Sequence, residues 1–114
     1  MTSTQLKQSF STVSGKIRKL ELDHNLGPDT VRLIAVSKTR TIDEILTLVR
    51  LGQKDFGENY VQEALDKMTG LADEDITWHF IGPIQKNKTK LIAQHFDWVH
   101  SVDREIIASR LNEQ

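Results

Sequence analysis

The sequence predicts an α/β fold: one N-terminal helix followed by four βα units whose strands run parallel. Three observations carry this prediction. Short β-branched or aromatic runs alternate with amphipathic stretches, and the runs start near residues 31, 55, 78 and 97, a pitch of roughly 19 to 24 residues. A strand–helix alternation at that pitch requires each helix to carry the chain back to the same end of the sheet, which makes the strands parallel. Two architectures use such a repeat, an open sheet with helices on both faces or a sector of a (β/α)₈ barrel.

Each element has a local cause. Leu6, Phe10, Val13, Ile17 and Leu20 are spaced 4, 3, 4 and 3, which places one apolar stripe on a leading helix within residues 1–27. "LGPDT" then stops it through Gly27 and the ring of Pro28. Residues 31–114 hold the four βα units. "VRLIAV" (Val31 to Val36) is nearly continuous in apolar character, as strands buried on both faces are. Thr41 and Glu44 have the spacing of a capping box, Ile42, Ile45, Leu46 and Val49 form one helix face, and Gly52 ends it. "KDFGE" is the second strand. "NYVQEALDKMTG" is the second of these helices, with Asn59 as its cap, Val61, Ala64, Leu65 and Met68 inward and Gly70 at its end. "TWHFIG" is the third strand, followed by a helix from about Asn87 to His95. "DWVHSV" is the fourth strand, and "DREIIASRLNEQ" opens a fourth helix behind Asp103. The chain stops inside that helix, at about half the residues of a complete barrel. The expectation is therefore a partial gene product, with pairing of two copies as the other way to close the sheet.

Composition narrows the function classes. Charged residues are 27% and hydrophobic residues 38%, a globular balance, and the net charge of −1 gives no general attraction to nucleic acid or acidic lipid. There is no cysteine, hence no disulfide and no thiolate metal site, which fits a cytoplasmic protein. No apolar run approaches the roughly 20 residues that cross a bilayer, and "MTSTQLKQSFSTVSGK" lacks the apolar core of a signal peptide.

Parallel α/β architectures place their chemistry at the C-terminal ends of the strands. The residues there are Ser37, Lys38 and Thr39; Glu58, Asn59 and Tyr60; Gly82 and Pro83; and His100, Ser101 and Asp103. Lys38 shares its parity with Ile34 and Val36. If that side is a barrel lumen the amine is partly desolvated and usable as a nucleophile toward an aldehyde; the plain alternative is a solvated loop lysine. Asn59 caps a helix or reaches a ring substituent of a ligand, or both. Glu58 is a partner for an amine or a solvated acid. His79, among Trp78, Phe80 and Ile81, is either a hydrogen-bonded core histidine or the flank of a bound aromatic ring. Lys86, Lys88 and Lys90 form a basic edge that could hold an anion or RNA backbone, although "GPIQKNKTK" lacks the glycines of a phosphate loop. The four histidines have no metal-site spacing. Asp55 and Glu58 alone do not make the acidic cluster of a receiver domain.

Taken together, "LIAVSKTR", "FGENYVQEALDK", "WHFIGPIQKNK" and "HSVDR", in this order and spacing, resemble the pyridoxal phosphate homeostasis proteins, which are related to the N-terminal barrel of alanine racemase. The resemblance runs from about Val31 to the end and implies half of a (β/α)₈ barrel that binds pyridoxal 5′-phosphate (PLP). It implies that Lys38 holds the cofactor as a Schiff base, with Asn59 and His79 nearby. It implies a carrier that hands PLP to apo-enzymes and has no reaction of its own. The other readings are a fragment of a PLP-dependent racemase or decarboxylase, and a non-enzymatic phosphate- or RNA-binding module using Lys86, Lys88 and Lys90. Late barrel loops should grip the cofactor phosphate, so a 114-residue chain is expected to bind it weakly.

Overall fold

Two capping boxes start the first two helices, and both follow from the sequence. In a computed structural model that describes residues 2–28 and 30–100, helix α1 (Ser3–Asp23) begins where Thr2 and Gln5 satisfy each other's backbone N–H groups. After strand β1 (Ala35–Val36), helix α2 (Ile42–Arg50) begins in the same way at Thr41 and Glu44. It ends in a Schellman turn, with Gly52 N–H bonded to Val49 O and Gln53 N–H to Leu48 O, both at 3.0 Å. Gly52 has φ = 103°, a conformation that demands glycine. Strand β2 (Asp55–Glu58), helix α3 (Val61–Gly70), strand β3 (Thr77–Phe80), a 3₁₀ turn (Lys86–Lys88), helix α4 (Thr89–His95) and strand β4 (Trp98–Val99) follow. The predicted fourth helix of the repeat, Ser101 and Asp103 lie outside the described residues.

All four strands are parallel, in the order β1-β2-β3-β4, with Ala35 opposite Phe56, Phe56 opposite Trp78, and Phe80 opposite Val99. Sequential order without reversal has no switch point, which selects the barrel sector over the doubly wound sheet. One face carries Ala35, Phe56, Trp78 and Phe80 and is covered by apolar residues of α2, α3 and α4. Phe56, Ala64 and Ile92 are fully buried there, and Phe80 meets Phe96 edge to face at 5.2 Å. Gly70 allows α3 to pass close over Ile42 of α2; a Cβ there would lie 2.6 Å from its Cδ1.

The opposite face carries Val36, Gly57, His79 and Trp98 in one row. It is the inner face of the barrel sector, and among the described residues no helix covers it. Val36 is consequently 56% and Trp98 53% exposed, so "VRLIAV" is not buried on both faces as its composition suggests. Only Ala35 and Val36 of that run form a strand. β2 starts at Asp55, so residues before Ala35 have no ladder partner; Leu33 O instead accepts from the Gln53 side chain at 2.6 Å, and Val31 N–H donates to Glu21 at 3.0 Å. The apolar stripe of α1 is only half covered: Leu6, Phe10 and Ile17 are partly buried, while Val13 and Leu20 remain exposed.

Candidate functional site

Lys38 stands on the turn that leaves the edge strand β1. Arg40 N–H returns to Ser37 O at 3.0 Å, closing a four-residue turn with Lys38 and Thr39 at its centre. Thr39 has φ = 62°, rare for a β-branched residue and held only where surroundings enforce it. Glu63 provides part of that enforcement by accepting the Thr39 N–H at 2.6 Å. Lys38 itself is exposed, and its Nζ has no partner among the described residues. The partial desolvation expected from a closed lumen is thus not found on this open face.

A buried polar network beneath the turn holds it from the helix side. Lys67 on α3 donates to Ser37 O at 2.6 Å, to Glu58 at 3.1 and 3.2 Å and to Glu63 at 2.8 Å, while Ser37 Oγ donates to Glu58. Ser37, Glu58 and Lys67 are all at most 6% exposed. Glu58 is therefore the partner of an amine, but of Lys67 and not of Lys38, and it is the last residue of β2 and not a solvated acid. Sequence reasoning missed Lys67; the Glu63–Lys67 pair at i, i+4 was its one visible signal.

On the inner face Arg32, Asp55, His79 and His100 form a chain. Arg32 donates to Asp55 Oδ1 at 2.6 Å, His79 Nε2 lies 2.9 Å from the same oxygen, and His79 Nδ1 lies 3.1 Å from His100 Nε2. His79 is 3% exposed and stacks on Trp98 with an interplanar angle of 9°. Asp55 and Glu58 point to opposite faces of β2 and make no acidic cluster.

Asn59 is not the cap of α3. Tyr60 occupies that position, without a side-chain cap bond, and Asn59 Oδ1 is buried with no hydrogen-bond partner among the described residues. A buried acceptor left unpaired costs about 1–3 kcal/mol. Asn59 lines a groove of about 450 Å³ with Pro83, Gln85 and Lys88. Lys86 and Lys88 lie in the 3₁₀ turn, and Lys90 lies in the first turn of α4.

Two carboxylates of this region give the fold an acid limit. Burial opposes ionisation of Asp55, but hydrogen bonds from Arg32 and His79 outweigh it and hold its pKa below the ordinary value. The Lys67 ammonium, followed by the Thr39 N–H, does the same for Glu63 against its burial. A folded-state pKa below the unfolded one means stability that is present above about pH 4–4.5 and is lost as pH falls through the depressed values. Urea midpoints should fall from pH 5 downward, with a shallower fall in Asp55→Asn; the same slope in that variant would contradict this assignment.

No family model matches the chain. The pyridoxal phosphate homeostasis protein of Pseudomonas aeruginosa is 50% identical over 109 residues, 96% of this chain and 47% of that protein. The protein of the same name from Vibrio alginolyticus is 47% identical over 115 residues, 97% of this chain and 49% of its own length. The chain spans about half the length of the curated relatives it matches. Among solved structures, PipY of Synechococcus elongatus, determined with PLP bound, superposes with a TM-score of 0.73 at 43% identity, covering 84% of this chain and 46% of PipY. An unknown protein from Bifidobacterium adolescentis gives a TM-score of 0.89 at 29% identity over 97% of this chain and 49% of that one. Among the described residues no helix is long and apolar enough to cross a membrane.

Proposed function

We propose, from the similarity of this chain to about half the length of the pyridoxal phosphate homeostasis proteins, that this protein binds PLP and serves as an intracellular carrier of it. Lys38 is the covalent anchor: its amine adds to the cofactor aldehyde and water leaves, giving a Schiff base. The observation that carries this reading is an unpaired primary amine on a clamped turn at the C-terminal end of β1, in a sheet that superposes on a PLP-bound relative. The unpartnered Asn59 acceptor at the same end of the sheet fits a ligand with a proton-donating ring substituent. His79 backs the inner face between them and a ring bound there.

Bound PLP supplies an electron sink, and a reaction requires protein groups that direct proton transfer. The relatives are named homeostasis proteins and not enzymes, which favours holding and release over turnover, with apo-enzymes that need the cofactor as acceptors. The test is to add PLP, reduce with borohydride and map the modified peptide by mass spectrometry. Modification is expected at Lys38; labelling of other lysines with Lys38 untouched overturns the proposal.

A further inference from the structure

The chain Arg32–Asp55–His79–His100 determines which ring nitrogens carry protons. Asp55 is a carboxylate, so it only accepts, and His79 Nε2 must be its donor. With His79 carrying its one hydrogen on Nε2, its Nδ1 is an acceptor. The 3.1 Å contact to His100 Nε2 consequently requires the hydrogen on that nitrogen of His100. His100 Nδ1 is left with a free lone pair and has no partner among the described residues. The two imidazole planes are 24° apart with centroids at 5.3 Å, and the Trp98 ring runs nearly parallel to His79 with centroids at 6.3 Å. The ring nitrogens address one another instead of converging on a point, and no metal-holding group occurs among the described residues.

Register places this free nitrogen on the functional end of the sheet. Val36, Gly57, His79 and Trp98 share one row; two residues further on, just past the strand ends at the same end of the sheet, come Lys38, Asn59, Ile81 and His100. The ladder continues that far, with Ile81 N–H bonded to Glu58 O and His100 N–H to Phe80 O, each at 2.9 Å. Lys38 and His100 thus bracket the row, about 14 Å apart at three strand spacings of ~4.8 Å.

We propose that His100 is a ligand-binding residue of this site, held by Arg32, Asp55 and His79 in its Nε2–H tautomer so that Nδ1 accepts a hydrogen bond from a proton-donating group of a heteroaromatic ligand. This rests on the PLP reading and extends it to the far side of the row. Aligned hydrogen-bond chains polarise one another, which makes Nδ1 a better acceptor than that of a free imidazole.

The experiment is nitrogen-resolved NMR of the 114-residue protein with ¹⁵N-labelled histidine. Without ligand, His79 and His100 are both expected as Nε2–H tautomers, and Asp55→Ala should release both into mixtures. A His100 ring carrying its hydrogen on Nδ1, or doubly protonated at neutral pH, overturns the inference before any ligand is added. Added PLP should shift the His100 Nδ1 resonance under conditions that label Lys38. In His100→Phe the PLP concentration for half-maximal trapping at Lys38 should rise about tenfold, the loss of one hydrogen bond, with Lys38 still the labelled residue. Labelled Lys38 with an unmoved His100 resonance and an unchanged His100→Phe midpoint overturns this inference alone. Failure to label Lys38 overturns the cofactor reading and this extension together.

Discussion

Lys67→Met should destabilise the fold by about 3–5 kcal/mol, the cost of leaving a buried carboxylate without its cation. The Glu58 side chain is fully buried and Lys67 is its one cationic partner among the described residues. Methionine fills a similar volume, so the loss comes from charge and hydrogen bonding and not from a cavity. Against a typical domain stability of about 5–15 kcal/mol that is a large fraction. The double variant Glu58→Met/Lys67→Met should be milder than the single one, because it removes both charges and leaves Ser37 Oγ able to donate to Gly57 O at 3.3 Å. The single change also removes one of the two donors on Ser37 O, leaving the Arg40 N–H, and loosens Glu63 from Thr39 N–H, so the turn carrying Lys38 loses two of its restraints. Urea unfolding measures the first effect, and the yield of borohydride trapping at Lys38 measures the second. A single-variant cost below about 1 kcal/mol, or a double variant worse than the single, would show that the network is not the buried ion pair described.

What could be read from the sequence was local, and what could not was set by partners distant in the chain. The Thr41–Glu44 capping box and the Gly52 stop depend on residues within one turn of each other, and both occur as expected. Strands β2 and β3 could be located because their flanks carry turn signals. β1 is shorter than its apolar run, since a strand extends only as far as its neighbour's backbone, and β2 begins at Asp55. Asn59 looked like a cap because it precedes a helix; the helix starts one residue later and its amide oxygen is left without a partner. The Ser37–Glu58–Lys67 network and the Asp55–His79–His100 chain join residues 9 to 30 apart across strands. Composition and spacing contain neither. They appear only when the register of the parallel sheet is known, and that register also separates Glu58 from Asp55 by putting them on opposite faces.

Lys38→Arg should abolish site-specific trapping of PLP while leaving the fold and the local charge intact. Arginine keeps the cation and much of the side-chain length, but its guanidinium does not lose a proton and cannot act as the nucleophile. The change therefore separates a covalent anchor from a lysine that merely attracts the cofactor phosphate. Lys38 is exposed and its amine has no partner among the described residues, so little stability should be lost, within about 0.5 kcal/mol for a surface site. Lys67 cannot substitute for it: that amine is 6% exposed and already donates to four oxygens on the helix side of the sheet. The triple variant Lys86→Ala/Lys88→Ala/Lys90→Ala provides the contrast, because an anion- or RNA-binding module would lose its ligand there and keep it in Lys38→Arg, with strong salt dependence. Trapped product at residue 38 in the triple variant and none in Lys38→Arg is the expected pair of results. The opposite pair, labelling retained in Lys38→Arg and lost with the basic edge, would transfer the site from the end of β1 to the turn before α4.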